Sequence, residues 1–361
     1  MQNLHLDFGK RSYDIVISDS FAEFPRAFSA VCGGKVLIVT DSNVAPLYLD
    51  EVRRLLYCAG FSREGTADLV IEAGEQSKNM DMLQTIYDAC IRCGLDRKST
   101  ILALGGGVVG DMAGYAAATY MRGVRFVQVP TTLLAQTDSS VGGKVGIDYA
   151  GVKNIVGAFK QPALVYINTN TLKSLPRREI SAGMAEVIKY GVIKNAAFLE
   201  YLDEKRDKVN ALDAETMQTV IYNCCAVKAA VVQQDETETG LRAILNFGHT
   251  VGHGIESAKD FALLHGECVA LGMLAALDIA LGRGYVSEAD LDKCRNLLRA
   301  YGLPEKTGGV SIKQVLEYMK NDKKKENGSL RFVLPRPVGV ADVYNDVTQA
   351  ELVHAVETVL E

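Results

Sequence analysis

Tryptophan is absent and Phe plus Tyr bring the aromatic share to only 7%, so no aromatic platform stands out for stacking nucleic-acid bases. Positive charge is not in excess either. Lys and Arg number 39 against 44 Asp and Glu, a net −5, which excludes a global basic field for nucleic acid or acidic lipid. No uninterrupted apolar run of about 18 residues occurs, so no membrane span is expected. The opening MQNLHLDFGKRSYDIVI contains Asp7 and lacks the apolar core of a signal peptide. Among the eight cysteines, Cys90 and Cys93 form a CxxC inside a helical pattern, with no second pair to complete a zinc ribbon. Reduced thiols and a cytoplasmic location are therefore expected. Internal repeats and low-complexity tracts are missing as well.

What is present is ordinary globular composition, 48% apolar and 23% charged over 361 residues. That length suggests two domains with cores needing no disulfide. In the first half, short apolar runs at 35–40, 68–72, 99–104 and 126–129 alternate with helical patterns at 47–59, 78–93 and 109–118. Such alternation predicts a mostly parallel sheet covered on both faces. After Pro176 the pattern changes to successive helices at 179–194, 214–234, 245–259, 266–282, 288–300 and 311–320, with one late extended run at 329–334. The expected organisation is an α/β, Rossmann-like domain over 1–177 and an all-α domain over 178–361.

Three constellations carry chemistry. Gly105-x-Gly107-x-x-Gly110 follows a strand and opens a helix, the context of a dinucleotide turn whose helix N-terminus faces a pyrophosphate. No acidic residue ends the next strand; Asp41 and Asn43, after an earlier strand, are the candidate ribose partners, and a plain Gly-rich turn is the competing reading. The segment from Pro130 to Lys144, PTTLLAQTDSSVGGK, with Lys153-Asn154 shortly after, packs hydroxyls, Asp138, a glycine pair and lysines into a polar stretch suited to an anion or sugar hydroxyls. Lastly, on a helical wheel running from Arg242 to Glu256, the side chains of Arg242, Asn246, His249 and His253 share one stripe of about 60°. His265 follows at a helix start. Two histidines at i, i+4 with a third twelve residues on make a metal set, and Glu186, mid-helix in an apolar run with Lys189 one turn on, is the carboxylate that completes it. A Glu186–Lys189 pair on a solvated face is the competing reading of those two residues.

Together with GEQSK (74–78), GGGVVGD (105–111), YMRG (120–123), GMAEVIKYG (183–191), NFGHTVGH (246–253), LLHGECVALGM (263–273) and the basic DKKK (322–325), these segments resemble the 3-dehydroquinate synthase branch of the sugar-phosphate cyclases over nearly the whole chain. The resemblance implies a homodimer with an NAD-binding α/β domain and a helical metal domain. It implies conversion of a heptulosonate 7-phosphate, a small sugar-acid phosphate, into 3-dehydroquinate and phosphate, in the shikimate route to the aromatic amino acids. It also implies site residues. Glu186, His249 and His265 would hold zinc or cobalt, with His253 beside them for proton transfer. Arg242 and Lys228 would grip the substrate carboxylate, and Lys144, Asn154, Asn246 and Lys324 the phosphate. Asp138 and Lys189 would lie around the substrate hydroxyls, and Arg122 would reach across the dimer. For NAD the matching positions are Asp41, Asn43, Glu75, Lys78, Gly107, Val108, Asp111, Thr131, Thr132, Lys153, Thr171 and Ser174. The resemblance implies dehydroquinate-type residues at Asn246 and His253, where the valiolone-forming branch differs, which counts against that branch; the amino-dehydroquinate branch and a metal- and NAD-dependent polyol dehydrogenase remain the alternatives.

Overall fold

The structure, a computed structural model, describes residues 1–325 and 330–361, the side chains of 320–325 excepted. The chain forms two compact units, one of Met1–Leu175 with Met217–Gln233, the other of Pro176–Thr216 with Gln234–Glu361.

The first unit holds strands β1 (Gln2–Leu6), β2 (Tyr13–Ser18), β3 (Val36–Asp41), β4 (Thr66–Ile71), β5 (Thr100–Gly105), β6 (Arg125–Pro130), β7 (Lys144–Tyr149), β8 (Val152–Phe159) and β9 (Leu164–Asn168), and helices α1 (Phe24–Val31), α2 (Asp50–Cys58), α3 (Met80–Arg92) and α4 (Gly107–Thr119). Seven strands make one sheet in the order β1-β2-β9-β6-β5-β3-β4, parallel except for the β1–β2 pair. Its central strands alternate strictly between two cores. Leu37, Val39, Ile101 and Ala103 pack under α3 and α4, while Val36, Ile38, Leu102 and Leu104 pack under α1 and α2. Counted from β3, the inner order is 2-1-3-4-5, so the connections diverge between β3 and β5. That divergence opens the crevice where doubly wound sheets bind ligands, at the carboxyl ends of those strands.

Strands β7 and β8 form a separate antiparallel hairpin. The sequence pattern marks no strand over 144–159, and β8 is nowhere fully buried and carries Asn154 and Gly157. The pairing is nonetheless close: a Cβ on Gly157 would stand 2.3 Å from the carbonyl oxygen of Val145.

The second unit contains α5 (Arg177–Lys194), α6 (Ala196–Glu204) and α7 (Arg206–Asn210), the first residues of α8 (Ala214–Gln234), then α9 (His249–Ala258), α10 (His265–Gly282), α11 (Glu288–Ala300), α12 (Ile312–Lys325), the short antiparallel pair β10 (Phe332–Pro335) and β11 (Ala341–Tyr344), and α13 (Gln349–Val359). Helix α10 is long and apolar enough to cross a membrane. Here it is the core helix, buried against α5, α9, α11 and α13.

Two expectations need correction. Helix α8 does not stay with the other C-terminal helices: Met217–Gln233 clusters with the α/β unit. There the Cys225 thiol meets the carbonyl of Gln136 at 3.3 Å, and the Lys228 ammonium meets Asp138. The helix expected over 245–259 is also broken. Leu241–Asn246 is a 3-10 turn, Gly248 is left-handed at φ 79°, and α9 starts only at His249. Arg242 and Asn246 therefore do not share an α-helical stripe with the histidines. A tertiary contact explains the break, because a Cβ at Gly248 would lie 2.6 Å from Met273 Cγ and 2.8 Å from the Val269 carbonyl.

Candidate active site

In the first unit, β5 ends in Gly105 and α4 starts at Gly107, so the glycine turn sits at the switch point. Each glycine answers to a steric demand. A Cβ at Gly105 would meet Val109 at 2.7 Å, one at Gly106 would meet Thr132 at 3.0 Å, and one at Gly110 would meet Gln128 Oε1 at 2.8 Å. The first residues of α4, Gly107 and Val108, thus present their backbone with no side-chain cap. At the end of β3, Asp41 Oδ1 accepts from the Asn43 and Val44 amides at 2.9 and 3.0 Å, which turns the chain sharply beside the crevice. Thr131, at the end of β6, buries its hydroxyl oxygen with no protein partner among the described residues. Thr132 Oγ1 accepts from the Ala135 amide at 3.2 Å. Thr171 receives the Gln136 side-chain amide at 2.9 Å, and Ser174 shares a 2.6 Å bond with the Tyr48 hydroxyl. The glycine turn, the uncapped helix start and the buried hydroxyl of Thr131 fit a dinucleotide phosphate and ribose.

A second group in this unit is ionic. Lys78, only 4% exposed, donates to Asp111 Oδ2 at 2.6 Å and also to Asn154 Oδ1. Glu75 lies 3.9 Å from Lys78 Nζ and 3.7 Å from Lys153 Nζ. Burial disfavours the Lys78 charge, yet Asp111 and Glu75 outweigh it and hold the ammonium above the usual lysine range. Asn154 is left-handed at φ 53°, held there by its amide donating to Asp148 Oδ1 at 2.8 Å. Lys144 opens the same hairpin, opposite Phe159. Asp138 lies in a π-helical turn, Ala135–Ser139, that is largely buried rather than solvated, and Lys228 reaches both its carboxylate at 2.9 Å and its carbonyl at 2.8 Å. Arg122 sits in a left-handed pair with Met121, at φ 64° and 50°.

In the second unit the carboxylate of Glu186 is fully buried on α5, ion-paired with the equally buried Lys189. The competing reading, a Glu186–Lys189 pair on a solvated face, holds for the pairing and fails for the face, because both side chains lie in the core. Glu186 Oε1 lies 3.4 Å from His249 Nε2 and 3.5 Å from His265 Nε2. His253 joins them: the three imidazoles offer nitrogens all within 4.8 Å of one another. This donor chemistry, two or three imidazoles and one carboxylate, fits a divalent transition metal. His249 Nδ1 is 3.0 Å from the Phe247 carbonyl, an acceptor that fixes the proton there and leaves Nε2 as the donor atom. Burial drives His249 down to about 3. Burial also works against the His265 charge, but the carboxylates of Glu186 and Glu256 prevail and hold it at about 9.

Arg242, 2% exposed, is fixed by its backbone amide donating to Asp235 Oδ2 at 2.9 Å and by its guanidinium donating to the Glu236 carbonyl. Asn246 donates to Glu238 Oε1 at 3.1 Å. The Lys324 side chain lies outside the described residues. Sequence reasoning passed over Glu256, Asp235 and Asp148. Glu256 had a signal, standing seven residues after His249 and three after His253 on one helix face. Asp235 and Asp148 had none, since both act on backbone amides.

The family model for the 3-dehydroquinate synthase N-terminal domain matches residues 68–182 and that for its C-terminal domain matches 183–325. A 3-dehydroquinate synthase of Acetivibrio thermocellus is 48% identical over 93% of both chains. Among solved structures, 2-epi-5-epi-valiolone synthase from Streptomyces hygroscopicus, with NAD+ and Zn2+ bound, superposes with a TM-score of 0.88 at 29% identity over 96% of each chain. A 2-deoxy-scyllo-inosose synthase complexed with carbaglucose-6-phosphate, NAD+ and Co2+ gives 0.88 at 25%, covering 98% of this chain and 99% of that one. By the matched models and by identity along nearly its full length, the chain belongs to the 3-dehydroquinate synthase family.

Proposed function

We propose that this chain is a cytoplasmic, homodimeric 3-dehydroquinate synthase that converts 3-deoxy-D-arabino-heptulosonate 7-phosphate into 3-dehydroquinate and phosphate. The observation that carries the reading is the buried Glu186 carboxylate facing His249 and His265 through their Nε2 atoms, with Lys189 on the same carboxylate. NAD+, held by the residues named below, would supply a reversible hydride acceptor for one ring carbon of the substrate, so no net oxidation would result. A zinc or cobalt ion held by Glu186, His249 and His265 supplies Lewis acidity toward the hydroxyl being oxidised.

The chain's own side chains do the rest. In this reading His253 exchanges the hydroxyl proton, and Lys189 and Asp138 orient neighbouring hydroxyls. Arg242 and Lys228 bind the substrate carboxylate. Lys144, Asn154, Asn246 and Lys324 bind the phosphate, with Arg122 supplied from one subunit of the dimer to the other. Oxidation to the ketone acidifies the adjacent C–H. Its proton passes to the dianionic phosphate as the C–O bond to that phosphate breaks, and the electron pair of the C–H bond becomes the new double bond. After the ketone is reduced again, the ring opens and the enol carbon closes on the exposed ketone. For NAD, the switch-point residues Asp41, Asn43, Gly107, Val108, Thr131, Thr132, Thr171 and Ser174 and the ionic group of Glu75, Lys78, Asp111 and Lys153 are the proposed contacts.

Incubating the protein with NAD+, Co2+ and the heptulosonate phosphate decides the matter. Phosphate release without accumulating NADH supports the cyclase; net NADH indicates a polyol dehydrogenase. No phosphate release from this substrate, with turnover of its amino analogue, indicates the amino-dehydroquinate branch.

A further inference from the structure

His249, His253 and Glu256 occupy positions i, i+4 and i+7 of α9, so one helix face carries two imidazoles and a carboxylate. Glu256 is 3% exposed, a depth at which a carboxylate needs a cationic or donor neighbour. Its Oε2 stands 3.6 Å from His265 Nδ1, while His265 Nε2 faces Glu186 Oε1 at 3.5 Å. The imidazole of His265 is thus bracketed by carboxylates, one at each nitrogen. His249 is held in the same sense by a neutral group, its Nδ1 on the Phe247 carbonyl and its Nε2 toward Glu186.

The two histidines also differ in support. His249 sits against its own chain two residues back. His265 is the first residue of α10, directly after a loop in which Asp260 and Phe261 are both left-handed, at φ 48° and 60°. Its ring therefore depends on a contact from another element, and α9 provides it.

We propose that Glu256 is a positioning residue for His265: its carboxylate keeps the proton on Nδ1, orients the ring and makes Nε2 the better metal donor. An anion in this place raises ligand basicity, and loss of such partners elsewhere typically weakens metal binding 10–100-fold. The inference rests on the reading of Glu186, His249 and His265 as the metal donors, and its test separates the two.

Co2+ affinity is measured by competition with a chromogenic chelator, and the ligand field by visible absorption, for the wild-type protein, Glu256→Gln and His265→Ala. We expect Glu256→Gln to bind Co2+ about 10–100-fold more weakly with altered absorption bands, while its metal-free secondary structure matches the wild type. In the zinc-loaded wild-type protein, the His265 Nδ1 proton should resonate strongly downfield, and in Glu256→Gln it should move upfield. Wild-type affinity and bands in Glu256→Gln, alongside metal loss in His265→Ala, overturn the positioning role alone. Wild-type affinity in His265→Ala overturns the donor set beneath it. If Glu256→Gln does not fold, the wild-type spectrum decides, since the absence of that downfield proton rejects the proposal.

Discussion

Arg178 and Glu267 form a two-point ion pair, with both nitrogen–oxygen distances at 2.7 Å, that ties the first turn of α5 to the first turn of α10. Glu267 also accepts the Leu264 amide at 2.8 Å, and Arg178 reaches the Ala262 carbonyl at 3.3 Å. The pair therefore staples the segment that delivers His265. Because Arg178 is largely exposed, Arg178→Ala should lower global stability by only about 0.5–1 kcal/mol. Its larger effect should fall on Co2+ affinity, a loss of several-fold read by chelator competition.

Metal-free protein should show a pH dependence set by His265. Its folded value of about 9 lies above the roughly 6.5 of an unfolded histidine. The stabilisation is therefore full below pH 6.5 and is lost as pH rises through 9. His249, driven down to about 3, works on the other side: the unfolded chain takes up its proton below pH 6.5 and stability falls as pH drops. Thermal midpoints of chelator-treated protein should thus decline from pH 6.5 to 9, and His265→Ala should flatten that limb. Metal needs the neutral imidazole, so at pH 7 its binding should release about one proton. Calorimetry in buffers of different ionisation enthalpy reads that number.

The pair of buried Lys78 with half-buried Asp111 makes a sharper stability prediction. Lys78→Met leaves a half-buried carboxylate without its ammonium and should cost about 1–3 kcal/mol by urea unfolding. Asp111→Asn added to it should restore much of the loss, a coupling that two independent sites would not show.

Two glycines of one helix give a packing test. A Cβ at Gly272 would stand 1.8 Å from the Gly248 carbonyl oxygen, whereas one at Gly282 meets nothing within 4 Å. Gly272→Ala should destabilise by about 3 kcal/mol or more, since backbone must move. Gly282→Ala should be neutral or raise the melting temperature slightly.

The sequence by itself determined the α/β half, because buried parallel strands and their helices are encoded in local apolar periods. It also marked the glycine turn after β5 and singled out Glu186, His249, His253 and His265: histidine is rare in this chain, His249 and His253 stand one helical turn apart, and Glu186 is a carboxylate inside an apolar run. Tertiary structure alone decided three things. Gly248 breaks the expected helix because Met273 and Val269 approach it, and that approach depends on how α10 packs, a contact distant in sequence. Helix α8 joins the α/β unit through contacts such as Lys228 to Asp138 and Cys225 to Gln136, partners some 90 residues away that its own apolar pattern does not name. Glu186 and Lys189 read the same on a wet face or a dry one. Which they occupy depends on the helices packed over α5, and burial beside two histidines is what turns an ordinary i, i+3 ion pair into candidate metal chemistry.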